Sequence, residues 1–210
     1  MNNQSKNTIV FTGGGTAGHV TPNLALIEKF QENNWHVEYI GSALGVEKNI
    51  ITQQNIIFHG IASGKLRRYF SWQNFVDPIK IVFGILQAIK HLRRIKPKVV
   101  FSKGGFVAVP VVIAAWLCRI PAIAHESDFS PGLANKLCFP FVKKLCLSFS
   151  DSKKYFADND KTIVTGTPIR TNLFSGIAEQ AIKDNQFNPD KPVILVMGGG
   201  SADHEINEHV

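Results

Sequence analysis

The 210 residues hold only three cysteines, Cys118, Cys138 and Cys146, and no two of them share a CxxC spacing. Nothing therefore argues for a cysteine metal site or redox pair. Each cysteine sits among apolar neighbours, so buried free thiols in a reducing compartment are expected. Acid is scarce too. Sixteen Asp and Glu face 23 Lys and Arg, a net charge of +7 that points to an acidic partner: nucleic acid, anionic lipid or a polyphosphate substrate. No helix-turn-helix, RNP or finger motif supports nucleic acid. No apolar run is long enough to span a bilayer; the longest, Phe106 to Cys118, is interrupted by Pro110. Met1 to Asn7 is polar and lacks the apolar region of a secretory signal. A Walker A motif, a GxSxG elbow, a metal-ligand cluster and an internal repeat are also absent.

What the chain does have is Ile9-Val10-Phe11-Thr12-Gly13-Gly14-Gly15-Thr16-Ala17-Gly18-His19. A β-rich run ends in three glycines, and a helix is expected from about Pro22. Glycine lets backbone turn sharply and approach a ligand, and free N–H groups at the following helix favour an anion. The spacing Gly13-x-Gly15-x-x-Gly18 matches the dinucleotide fingerprint. That site also wants an acid at the tip of the second strand, to hold a ribose hydroxyl. Here His36 to Ile40 ends in Gly41-Ser42, with Glu38 inside the strand. An NAD-dependent oxidoreductase is thereby disfavoured. A merely structural turn is the other reading.

Further strands are expected at Ile56–His59, Lys98–Ser102, Pro121–Ala124, Lys144–Ser148 and Ile163–Val164. Helices are expected at Pro22–Asn33, Val46–Gln53, Asn74–Ile95, Val109–Leu117 and after Pro131. This alternation predicts an α/β fold, a Rossmann-like parallel sheet flanked by helices. The boundaries are residues 1–168 for this domain and 169–210 for a polar linker and the start of a second α/β unit. That start is a strand at Pro192–Met197 followed by Gly198-Gly199-Gly200-Ser201.

In an open parallel sheet the strand-end turns line one edge, where ligands bind. His19, Lys103, His125, Glu126, Asp128, Asn135 and Arg170 gather there, a set suited to a phosphorylated, hydroxyl-rich ligand. His125 reads either as a site residue or as a satisfied structural histidine. The stretch Lys65–Trp72 is basic, then aromatic. It is either a loop packed under the sheet or part of a membrane-surface patch, and the wide apolar face of the next helix favours the patch.

Together these motifs resemble a family. Gly13–His19, Ser63-Gly64-Lys65-Leu66-Arg67-Arg68, Lys103-Gly104-Gly105-Phe106-Val107, His125-Glu126-Ser127-Asp128 with Pro131–Lys136, and Gly166-Thr167-Pro168-Ile169-Arg170 are similar to the MurG family. These are peptidoglycan N-acetylglucosaminyltransferases of the GT-B glycosyltransferase class. The resemblance covers about Thr8 to Asn207. It implies two Rossmann-like domains around a cleft, and transfer of GlcNAc from UDP-GlcNAc to lipid I, undecaprenyl-diphosphate-MurNAc-pentapeptide, giving lipid II. The first domain would bind the acceptor and face an anionic membrane, placing the protein peripherally on the cytoplasmic face of the cell membrane, with cell-wall synthesis proteins as possible partners. The second would hold most of the donor.

By the same resemblance Thr16, Ala17 and Gly18 touch the donor sugar, Arg170 contacts the donor, and Asn135 lies near the sugar. Asp128 stands where some members have an asparagine. His19 is the first candidate catalytic group, as base or diphosphate partner, and Glu126 the second. Ile79, Val82 and Trp116 fall in the membrane-contacting patch, with Lys65, Arg67 and Arg68 as its basic rim. No cofactor and no metal are implied, since backbone amides can meet the leaving diphosphate. Gly200 and Ser201 correspond to a diphosphate turn whose serine is displaced by one position. The family's uridine pocket would lie beyond Val210, so a chain ending there is expected not to transfer GlcNAc unaided. The competing expectation is a non-catalytic acceptor- or membrane-binding module.

Overall fold

The computed structural model describes residues 7–64, 73–156, 159–188, 190–196 and 208. The chain divides into two compact units, Met1–Pro168 and Ile169–Val210.

The first unit carries seven strands: β1 (Thr8–Thr12), β2 (His36–Ser42), β3 (Ile57–Ile61), β4 (Val99–Ser102), β5 (Ala122–Glu126), β6 (Lys144–Leu147) and β7 (Thr162–Val164). Its helices are α1 (Thr21–Glu32), α2 (Glu47–Thr52), α3 (Gln73–Ile95), α4 (Ala108–Leu117) and α5 (Leu133–Cys138). The strands form one sheet in the order β3-β2-β1-β4-β5-β6-β7, and every pairing is parallel. Strands joined by crossover helices can pair in no simpler way.

Strand β1 is buried on both faces, which is why it reads as an unbroken apolar run rather than an alternating one. Val10 joins the core beneath α3 and α4, with Ile40, Leu92, Val100 and Val111. Ile9 and Phe11 point the other way, into a core with Val20, which precedes α1, and with Ile27, Tyr39 and Ile51 from α1, β2 and α2. Each such fully buried side chain contributes about 1.5–3 kcal/mol. Helix α1 ends at Asn33-Asn34, where Asn34 takes the left-handed region at φ 62°.

Strand order reverses at β1, which pairs with β2 on one side and β4 on the other. The turns after β1 and β4 therefore stand side by side at the switch point, where such sheets bind ligands.

In α3, Ala88 and Leu92 are buried, whereas Ile79, Val82, Phe83 and Leu86 lie on the outside. Their spacing puts them on one face of the helix. Among the described residues, no helix is long and apolar enough to cross a membrane.

The second unit differs from expectation. It holds a 3-10 turn at Thr171–Phe174 and α6 (Ala178–Asp184), and no strand among its described residues. Residues 192–196 of the expected strand are unpaired and mostly exposed. A parallel strand exists only through a neighbour's N–H and C=O groups, and the described part of this unit offers none.

Candidate active site

The first turn is held from three sides. Tyr39 Oη donates to Gly13 O at 2.7 Å. Asn23 Nδ2 donates to Tyr39 Oη at 3.0 Å and to Thr12 O at 3.2 Å. Burial pushes the Tyr39 phenol well up, so it stays a donor. The third support is Glu47, a fully buried carboxylate at the start of α2. Its Oε1 accepts from Ser42 N at 2.8 Å and its Oε2 from Gly15 N at 3.2 Å. Sequence reasoning missed Glu47: an acid in a helix's first turn is ordinary, and only the fold brings it beneath the glycines.

The second turn is Lys103 to Phe106. Lys103 N donates to Thr12 O at 2.9 Å, and Gly104 N to Ser102 Oγ at 3.2 Å. Gly105 has φ 81°, and a Cβ there would overlap the Gly14 carbonyl. The two glycine turns thus touch backbone to backbone, and no other residue type fits at Gly105. The Lys103 side chain is buried and donates to Ser127 Oγ at 2.5 Å. Burial lowers the Lys103 pKa from its ordinary value.

The third group of residues follows β5. Glu126 is buried, and both its oxygens are engaged. Oε1 accepts from Asp128 N at 3.0 Å; Oε2 accepts from Gly132 N at 2.9 Å and Asn135 Nδ2 at 3.0 Å. Glu126, the second candidate catalytic group, therefore braces the 126–135 turn. His125 is buried with its Nε2 2.8 Å from Gly166 O, tying β5 to the turn after β7. Its pKa is lowered, first by burial, so the neutral ring donates through Nε2–H. That geometry is the structural reading of His125.

His19 closes the short 3-10 turn Ala17–His19, its N–H bonded to Thr16 O at 3.2 Å. With Gly105, Glu126, Asp128 and Asn135 it lines a cavity of about 220 Å³. Burial lowers the His19 pKa, and the Lys103 charge lowers it further. A neutral imidazole at this position can accept a proton.

Four residues expected at the edge, His19, Glu126, Asp128 and Asn135, therefore share one cavity. Thr16 and Gly18 are exposed on the first turn, and Ala17 lies in its 3-10 segment. Arg170 is exposed at the start of the second unit. Lys65, Arg67, Arg68, Gly200 and Ser201 lie outside the described residues. Trp116 is 54% exposed on the last turn of α4, its ring 5.3 Å from that of Phe141. Glu38, the acid nearest a ribose-binding position, is committed to His36 at 3.1 Å and His59 at 2.5 Å. Neither contact leaves the NAD reading a ribose partner.

The seven-stranded parallel sheet flanked by helices matches the N-terminal domain of GT-B glycosyltransferases. The chain belongs to glycosyltransferase family 28, whose N-terminal domain matches residues 9–147. Over 200 residues it is 60% identical to the UDP-N-acetylglucosamine--N-acetylmuramyl-(pentapeptide) pyrophosphoryl-undecaprenol N-acetylglucosamine transferase of Legionella pneumophila (strain Lens). That match covers 95% of this chain and 55% of the relative. The Clostridium botulinum (strain Alaska E43 / Type E3) protein of the same name is 56% identical over 205 residues, covering 98% and 57%. The crystal structure of Acinetobacter baumannii MurG is similar in fold, with a TM-score of 0.65 at 24% identity over 86% of this chain and 53% of that one. The chain spans about half the length of the curated relatives it matches.

Proposed function

We propose that this chain supplies the acceptor-side half of a GlcNAc transferase that uses UDP-GlcNAc and lipid I and makes lipid II for peptidoglycan. The 60% identity across 95% of the chain to a transferase of that name carries the reading. In it, His19 takes the proton of the acceptor's attacking hydroxyl, and its lowered pKa suits that task near neutral pH. Lys103 and Ser127 stand close behind, and Glu126 and Asn135 hold the loop that forms the far wall of the cavity. Thr16, Ala17 and Gly18 face the donor sugar. Backbone amides meet the leaving diphosphate, Arg170 contacts the donor, and no cofactor is required.

The exposed face Ile79, Val82, Phe83 and Leu86 on α3 supports a peripheral position on an anionic membrane, with Trp116 a further contact. The cytoplasmic face of the cell membrane, where lipid I would be met, is the proposed location. Cell-wall synthesis proteins are the proposed neighbours, and the donor half is expected from residues beyond this chain.

The test is transfer of labelled GlcNAc to a lipid I analogue by the longer protein containing this chain, with and without His19→Ala. The variant is expected to lose roughly a hundredfold or more in rate while keeping its melting temperature. Wild-type rates in His19→Ala would refute the assignment of the base. Absence of any transfer by the longer protein, with retained binding of the acceptor, would favour the non-catalytic module.

A further inference from the structure

A glycine turn after a buried strand offers its amides to an anion, and here the anion is already present. Glu47 is fully buried, with Oε2 on Gly15 N and Oε1 on Ser42 N. One of those amides lies in the turn after β1 and the other on the last residue of β2, so one carboxylate joins two strand ends. Gly14 and Gly45 are positions where a Cβ would overlap this carboxyl group, and at Gly41 a Cβ would come within 3.0 Å of Glu47 Cγ. Three glycines thus make the space in which the carboxylate sits. We propose that Glu47 is a positioning residue that fills the anion site of the first glycine turn from within the protein, so that this turn meets the neutral sugar of a substrate and not its diphosphate. A diphosphate entering there would have to displace a buried carboxylate or stand beside a like charge. The part concerning the substrate rests on the proposed transfer reaction; the occupancy of the Gly15 amide does not.

The test follows the amide signals of Gly15 and Ser42 in isotope-labelled chain as inorganic pyrophosphate is added. In the wild type both signals stay in place. In Glu47→Ala both move, and pyrophosphate binds at least about tenfold more tightly than to the wild type. Formate, a carboxylate small enough for the vacated space, raises the melting temperature of Glu47→Ala and leaves the wild type unchanged. Movement of the Gly15 signal in the wild type would overturn the proposal, as would a folded variant that gains neither pyrophosphate binding nor formate rescue. If Glu47→Ala does not fold, the wild-type titration decides, with Glu47→Gln, which keeps the side chain's length, as the second variant. None of these readouts involves turnover. Loss of the transferase reading would show instead as no UDP-GlcNAc or lipid I chemistry in the longer protein, with the Gly15 result intact.

Discussion

Asn135 Nδ2 bridges two partners, donating to Glu126 Oε2 at 3.0 Å and to His125 O at 3.1 Å. One buried amide on α5 thereby fixes both the end of β5 and the carboxylate that braces the loop after it. The cavity beside His19 owes its far wall to this arrangement.

Asn135→Ala removes both bonds and leaves a buried carbonyl short of a donor. Unfolding in urea is expected to show a loss of about 2–3 kcal/mol. A loss below about 0.5 kcal/mol would mean that the loop is held by the Gly132 and Asp128 amides alone.

Lys103→Met keeps the buried stem and removes the ammonium. Because the Lys103 charge holds the His19 pKa down, the variant's His19 should titrate at higher pH than the wild type's. Ring proton shifts in a pH titration measure this directly. An unchanged or lower His19 pKa contradicts the assigned coupling.

Three histidines, His19, His91 and His125, have pKa values lowered from the ordinary 6.5, each chiefly by burial. The folded state then binds fewer protons than the unfolded chain just below that value. Stability is full above it and falls as pH drops beneath it, until the folded rings also protonate. The melting temperature should therefore decline from about pH 7 to about pH 5.5. His125→Gln should flatten part of that decline. A melting temperature that rose over this window would reverse the sign.

Phe83 and Leu86 are each 58% exposed on α3, so charging them should cost little stability. In Phe83→Glu with Leu86→Glu, binding to vesicles rich in anionic lipid should fall about tenfold or more. Co-sedimentation reads the change. Unaltered binding would move the membrane contact away from α3.

The alternation of strand and helix was legible in the sequence because each element carries its own period: unbroken apolar runs for buried parallel strands, and a one-sided stripe for α1. Glycine triplets marked where strands end, since glycine tolerates the turn that β-branched residues cannot make. The run Pro192–Met197 had the same local signature, yet residues 192–196 form no strand, because a strand's hydrogen bonds belong to its neighbours and not to itself.

The site was legible as residue types and not as roles. Sequence gathered His19, Glu126, Asp128 and Asn135 at one edge, and the family motifs were local strings that any fold of this order would bring together. Which acid does what was decided by the tertiary structure alone. Glu126 spends both oxygens on amides six and nine residues away or nearer, and Glu47 reaches back 32 residues to Gly15. Hydrogen bonds of that reach leave no period or spacing in the chain, because they depend on where the sheet sets its strand ends.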